Sequence, residues 1–270
     1  PAAFLPGLAD SLNNYAVRSD DAGRHHEALD AVTEAVGIRR HLVDTHPTAF
    51  LPDLADALNN LAVCLGHVER HDEALPAVAE AVRLYRTLSD TYPAAFLPGL
   101  ADSLNNYAVR SDDAGRHHEA LDAISEAVDI RRHLAGTDPD AHSPNLALSL
   151  NNLAVCLGHV GRYDEALSAI DEAVHLYRAL SQVNPDAFLP PFAESLNNLS
   201  SFLRLLGRTA EATRAEREAD RLRPPRSAWR RFRAGMSISL PTRLTHRDPR
   251  GGPLTEPSNR SFRDEESGDA

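Results

Sequence analysis

The chain has 270 residues, and its 28 basic side chains, all arginine, stand against 39 acidic ones for a net charge of −11. With 42% hydrophobic and 25% charged residues it can bury a core, so composition excludes neither a globular enzyme nor a binding module; no stretch nears the ~18 apolar residues that a membrane-spanning helix needs. The charge is unevenly divided, since residues 1–220 carry 17 Arg against 33 Asp and Glu while residues 221–270 carry 11 against 6, and the two parts are expected to attract opposite partners. No charged-then-apolar leader opens the chain, so it reads as cytoplasmic. Its only Met is Met236, so a segment upstream of Pro1 is expected, and with it a larger parent protein.

The tripeptide Leu-Asn-Asn begins at Leu12, Leu58, Leu104, Leu150 and Leu196, at intervals of 46 residues, and a fixed period of that size marks a solenoid or an array. Pro47, Pro93, Pro139 and Pro185 keep the interval, as do Ala28, Ala74, Ala120, Ala166 and Ala212. Residues 1–31 recur letter for letter as 93–123, so the unit of recent duplication is a pair of repeats, 92 residues long. Repeats 1 and 3 are one type, repeats 2 and 4 another.

In repeats 1 and 3, Ser19 and Ser111 replace a leucine, paired aspartates follow, and His25 and His117 hold an aromatic position, so these hairpins are expected to bury less. Repeat 2 has Pro76 near the start of its second helix, where the ring is expected to distort or delay the helix. In repeat 4, Leu146, Leu150, Leu153, Leu157 and Val160 fall at helical spacing and predict a first helix. Gly161 interrupts it, Asp164 and Glu165 favour a helix N-terminus, and Ala166, Ile170, Ala173 and Tyr177 renew the period as a second helix. Pro185 reads as the stop of that helix, and Pro190 and Pro191 as tolerable only in or before the opening turn of the next. Repeat 5 places Glu216 at an apolar position, within the polar run Glu211 to Arg223, as the outer face of a C-terminal capping helix. Residues 1–223 thus form the array, and residues 224–270, rich in Pro, Gly, Ser and Arg without an apolar period, a basic disordered tail.

Small residues recur where the two helices of a hairpin must approach, and the series Leu150, Leu153, Ala154, Leu157, Gly161, Tyr163, Ala166, Ile170, Ala173 resembles the tetratricopeptide repeat. The segment from Leu150 to Leu167 is also similar to the repeats of kinesin light chains and of long-repeat proteins in high-GC bacteria. The resemblance covers residues 1 to about 222 and implies an all-α, right-handed α-solenoid of five helical hairpins. It further implies a non-enzymatic scaffold or sensor module, of a kind that often follows a signalling NTPase or a protease-like effector domain, with a groove lined by the first helix of each hairpin. The repeat exceeds the usual ~34 residues by about 12, an excess placed after Ala173 as a longer second helix and a Pro-containing connection.

Asparagine is a mediocre helix former, yet every first helix keeps a pair: Asn13 and Asn14, Asn59 and Asn60, Asn105 and Asn106, Asn151 and Asn152, Asn197 and Asn198. At about 100° per residue the pairs turn away from the leucine stripe, so their carboxamides are expected to bond the backbone of an extended peptide whatever its sequence. The resemblance to kinesin light chains, whose matching asparagines contact bound peptide, implies the same. The alternative is that one Asn of each pair bridges neighbouring helices, or is merely copied by duplication. Asp56 and Asp102 join the asparagines as candidate peptide contacts; with Asp10, Glu194, Asp21 and Asp113 on the same face, the groove is expected to be acidic and its partner basic, whereas kinesin light chains take acidic peptides.

No Gly-rich phosphate loop, G-x-S-x-G elbow, H-E-x-x-H or C-x-x-C is present, and neither an enzyme, a small-molecule substrate nor a cofactor is expected. The histidines His25/His26 and His117/His118 diverge around a helix with no third ligand in register, so no metal site is expected either. Cys64 and Cys156, two repeats apart, are expected to pack in reduced form. In the tail, Trp229 to Arg233 interleaves Arg with aromatics; it carries the alternative function of a nucleic-acid or anionic-membrane adaptor, or it lies in the acidic groove of its own array.

Overall fold

Each repeat folds as a hairpin of two helices, because the leucine and alanine stripes of the pair can be buried only against each other and against the next hairpin. The structure is a computed structural model that describes residues 4–222. The tail, with its Trp229 to Arg233 segment, lies outside the described residues. The first, or A, helices are α1 (Leu5–Asp21), α3 (Pro47–His67), α5 (Pro93–Asp113), α7 (Pro139–His159) and α9 (Pro185–Leu205). The second, or B, helices are α2 (His25–Thr45), α4 (His71–Thr91), α6 (His117–Thr137), α8 (Tyr163–Val183) and α10 (Thr209–Leu222).

Two kinds of turn join them. The A-to-B turn closes in the same way each time: the Gly23 N–H donates to Asp20 O and the Arg24 N–H to Ser19 O, both at 2.8 Å, a Schellman arrangement that uses the orphan carbonyls of α1. It requires a left-handed residue, and Gly23, Gly115, Gly161 and Gly207 lie at φ 74 to 78°, whereas repeat 2 puts Glu69 there at φ 61°. The B-to-A connection is a single residue: His46, Tyr92, Asp138 or Asn184. Each precedes a proline, which excludes it from the helical region and so breaks the chain between two helices.

The prolines correct three expectations. Pro185, like Pro47, Pro93 and Pro139, does not merely end a helix; it is the first residue of the next. Pro190 and Pro191 consequently lie inside α9, one turn beyond the opening one, and Pro52, Pro98 and Pro144 sit likewise inside α3, α5 and α7. Pro76 neither delays nor shortens its helix, since α4 starts at His71, in register with α2 and α6, and spans the same 21 residues. In each case the missing N–H falls early enough that only carbonyls of the first turns lose a partner. The length beyond the usual repeat is therefore helix, shared between A and B, and no longer connection.

Small residues set the distance within a hairpin. Ala16, Ala62, Ala108 and Ala154 in the A helices, and Ala35, Ala81, Ala127 and Ala173 in the B helices, are all 0% exposed. Ser19 and Ser111 are also fully buried, so the odd-numbered hairpins do not expose that position. Between hairpins each A helix touches the preceding B helix and also the A helices on either side, whereas no two B helices come into main-chain contact among the described residues. The A helices are thus gathered on the inside of the curve and the B helices splayed outside. Across the outer gap run four ion pairs of one spacing, Arg40 to Glu80, Arg86 to Glu126, Arg132 to Glu172 and Arg178 to Glu218, at 2.6 to 2.9 Å. Helix α10 closes the array, with Glu216 spent on Ser200 and Arg204 of α9.

Candidate functional site

On the inside of the curve, Leu58, Leu104, Leu150 and Leu196 point into their hairpins at no more than 1% exposure, and the two following side chains turn toward the adjacent A helices. The second Asn of each repeat donates to the first Asn of the repeat before it. Asn60 Nδ2 lies 3.1 Å from Asn13 Oδ1, Asn106 Nδ2 3.0 Å from Asn59 Oδ1, Asn152 Nδ2 3.1 Å from Asn105 Oδ1, and Asn198 Nδ2 3.1 Å from Asn151 Oδ1. The result is one row of carboxamides crossing all five A helices. The row also ties neighbouring repeats together, as the bridging alternative has it. Asn105, Asn106, Asn151 and Asn152 are buried, Asn14 is exposed, and Asn13, Asn59, Asn60, Asn197 and Asn198 lie between. Ser149 and Ser195 hydroxyls donate to Asn105 Oδ1 and Asn151 Oδ1 at 3.0 and 3.1 Å. Asn105 Nδ2 and Asn152 Oδ1 are left buried with no hydrogen-bond partner.

The carboxylates beside this row are engaged by the B helices, which the sequence reading missed. One B-helix position is held in turn by Arg39, Tyr85, Arg131 and Tyr177, all buried. Arg39 Nη2 reaches Asp10 Oδ1 at 3.0 Å and Arg131 Nη2 reaches Asp102 Oδ1 at 2.6 Å, while the Tyr85 hydroxyl donates to Asp56. Arg39 and Arg131 also donate to the main-chain oxygens of Asp53 and Asn145 at 2.7 and 2.8 Å. The signal was present in the sequence as a residue of donor type 29 positions after each aspartate. Burial, reinforced by Asp56, pushes the Tyr85 hydroxyl far above its ordinary value, so it stays a neutral donor. Burial lowers Arg131 and the Asp102 charge opposes that shift. Asp10 and Asp102 therefore each pair with a guanidinium, whereas Asp56 is bonded to a neutral hydroxyl. Asp53 nearby is raised by burial against the pull of Arg39, with Asp10 and Asp56 adding to the rise. The face is less acidic than a count of carboxylates suggests, since Asp10 and Asp102 are paired with arginine.

At the A-to-B turns the fold brings a third potential metal-ligating side chain beside Asp20 and His25, and again beside Asp112 and His117. Asp20 Oδ1 lies 2.7 Å from His25 Nδ1 and 2.8 Å from His67 Nδ1, and Asp112 Oδ1 lies 2.8 Å from His117 Nδ1 and 2.7 Å from His159 Nδ1. The second histidine of each group comes from the following repeat, 42 residues beyond the first, so adjacency in sequence pointed to the wrong partners, His26 and His118. Burial would raise Asp20 and Asp112, but their hydrogen bonds to the imidazoles prevail and hold both carboxyls below the usual range. Cys64 and Cys156 are free and buried; burial, with Asp20 adding, pushes the Cys64 thiol up to about 12. A separate cleft of about 570 Å³ opens on the outer side between α2 and α4, floored by Leu58 and Leu61 and spanned by the Arg40–Glu80 pair.

Three comparisons bear on this architecture. Tetratricopeptide repeat family models match residues 53–133 and residues 146–185 and 192–222, and a model of anaphase-promoting complex subunit 5 matches residues 8–52. None of the curated proteins matches. Among solved structures, a single-residue variant of the nearly identical TPR-like repeats of a Podosopora anserina putative kinesin light chain is 19% identical, with 82% of this chain and 95% of that one covered and a TM-score of 0.60. A Rap protein, solved in complex with Competence and Sporulation Factor, is 16% identical over 81% of this chain and 53% of its own, with a TM-score of 0.61. BtubC from P. vanneervenii is 17% identical over 91% and 95%, with a TM-score of 0.54. At these identities the structures share the fold alone, and it is the matched repeats, with five hairpins in one register, that show the chain to belong to the tetratricopeptide repeat family.

Proposed function

We propose that the chain is a non-enzymatic scaffold that holds an extended, basic segment of another protein along the inner face of its A helices. The observation that supports this most is the amide row: paired carboxamides recur at every junction between A helices, and Asn14, Asn60 and Asn198 keep part of their surface open to a ligand. A peptide backbone carries a donor and an acceptor at regular intervals and suits such a row. Asp56, bonded to a neutral tyrosine hydroxyl where Asp102 has the Arg131 guanidinium, flanks it and favours positive charge, while the more accessible Asn14, Asn60 and Asn198 offer first contact. The Rap structure, solved with its factor bound, is a precedent for a ligand on this fold.

The test is selection of ligands from a random peptide library, followed by affinity measurements. Selected peptides are expected to be basic, to bind more weakly as salt screens the aspartates, and to lose affinity several-fold, about 0.5 to 1 kcal/mol each, on Asp56→Asn or Asn60→Ala with helicity unchanged. Acidic selected peptides, or affinity indifferent to both substitutions, would overturn the reading.

A further inference from the structure

We propose that Asp20, His25 and His67, and again Asp112, His117 and His159, each bind a divalent transition-metal ion that staples an odd-numbered repeat to the even-numbered one after it. In each group one carboxylate oxygen and two imidazole nitrogens lie within 4.8 Å of one another. Ligands bound at about 2.0 to 2.2 Å in tetrahedral geometry stand about 3.3 to 3.5 Å apart, so closing on an ion requires only that the carboxylate draw back slightly and the rings draw in. The rings already lie close together, with centroids 4.9 and 5.0 Å apart and planes tilted by 55° and 52°. Two imidazoles and one carboxylate suit zinc and its neighbours; calcium and magnesium demand more oxygen ligands than the groups supply. Access is open, since the His25 and His117 side chains are 38% and 40% exposed while the two aspartates are largely buried.

The junction between repeats 2 and 3 supplies an independent argument. There the counterparts of Asp20, His25 and His67 are Gly66, His71 and Asp113, and the place is taken by the buried Arg110 guanidinium. A Cβ on Gly66 would lie 1.6 Å from Arg110 Nη1, which itself stands 3.3 Å from Asp113 Oδ2. The chain thus builds a fixed cation into this position at the middle junction. At the two flanking junctions the position of Arg110 is held by Cys64 and Cys156, and carboxylate and imidazole ligands gather without any built-in cation. An exchangeable ion completes the same pattern.

The experiment is titration of the full chain, stripped with chelator and kept reduced, with Zn2+ by calorimetry and with Co2+ by its visible absorption. The expected result is two ions per chain, one after His67→Ala and none after His67→Ala with His159→Ala, together with a rise in Tm on adding Zn2+ that the double variant lacks. Asp20→Asn with Asp112→Asn, which keeps a hydrogen-bond acceptor against both rings and therefore the fold, should likewise abolish uptake. Equal uptake by the wild-type chain and either double variant, or no uptake by the wild type, would overturn the proposal.

Discussion

Repeats 1 and 3 begin with the same 31 residues, and the two copies live in different surroundings. Leu8 is 44% exposed and its copy Leu100 is 4% exposed. Asn14 and Arg18 are exposed, whereas Asn106 and Arg110 are buried. Nothing in the sequence of either copy makes the difference; α5 has α3 and α4 packed along one side, and α1 has no described hairpin there. Burial in a solenoid belongs to the junction between repeats and not to the repeat, which is why its stability is a sum of intrinsic terms and neighbour terms.

Three measurements can break or sharpen that contrast. The largest effect should come from the junction itself: Leu100→Ala is expected to cost about 2 to 5 kcal/mol in urea unfolding and Leu8→Ala under about 1 kcal/mol, and equal costs would refute the neighbour account. Within a hairpin the twins should instead agree. Ala35→Leu and Ala127→Leu replace residues that are both 0% exposed, so each should lose about 1 to 3 kcal/mol by overpacking, and a Tm unmoved by either would show the hairpin register to be wrong. The smallest effect is a gain. Glu69 alone carries a side chain at the left-handed turn position, so Glu69→Gly should raise stability by about 1 kcal/mol and bring repeat 2 level with its neighbours; a loss would mean that Glu69 makes a compensating contact.

The same divide governs what could be read beforehand. The leucine and alanine stripes, the glycine at the turn and the 46-residue period are local or repeated features, and the hairpins follow from them. The prolines were harder, because a proline tolerated early in a helix and a proline that ends one look alike until the connection is known to be a single residue. Asn13 and Asn59 could be placed on a face, but what that face meets is the next repeat's asparagine, 47 residues on. The aspartates looked free because their partners, Arg39 and Arg131, lie 29 residues away on the other helix of the hairpin.

By itself, then, the sequence determined the number of hairpins, their register and which stripe of each helix is apolar, since helical periodicity is a property of consecutive residues. Tertiary structure alone decided that the amides bond one another, that Asp56 meets a tyrosine hydroxyl where its counterparts meet arginine, and that His67 rather than His26 joins Asp20 and His25. Those contacts depend on how far one hairpin is rotated against the next. That rotation is fixed by the packing of small residues across the whole interface, a quantity spread over many side chains and legible in none of them singly.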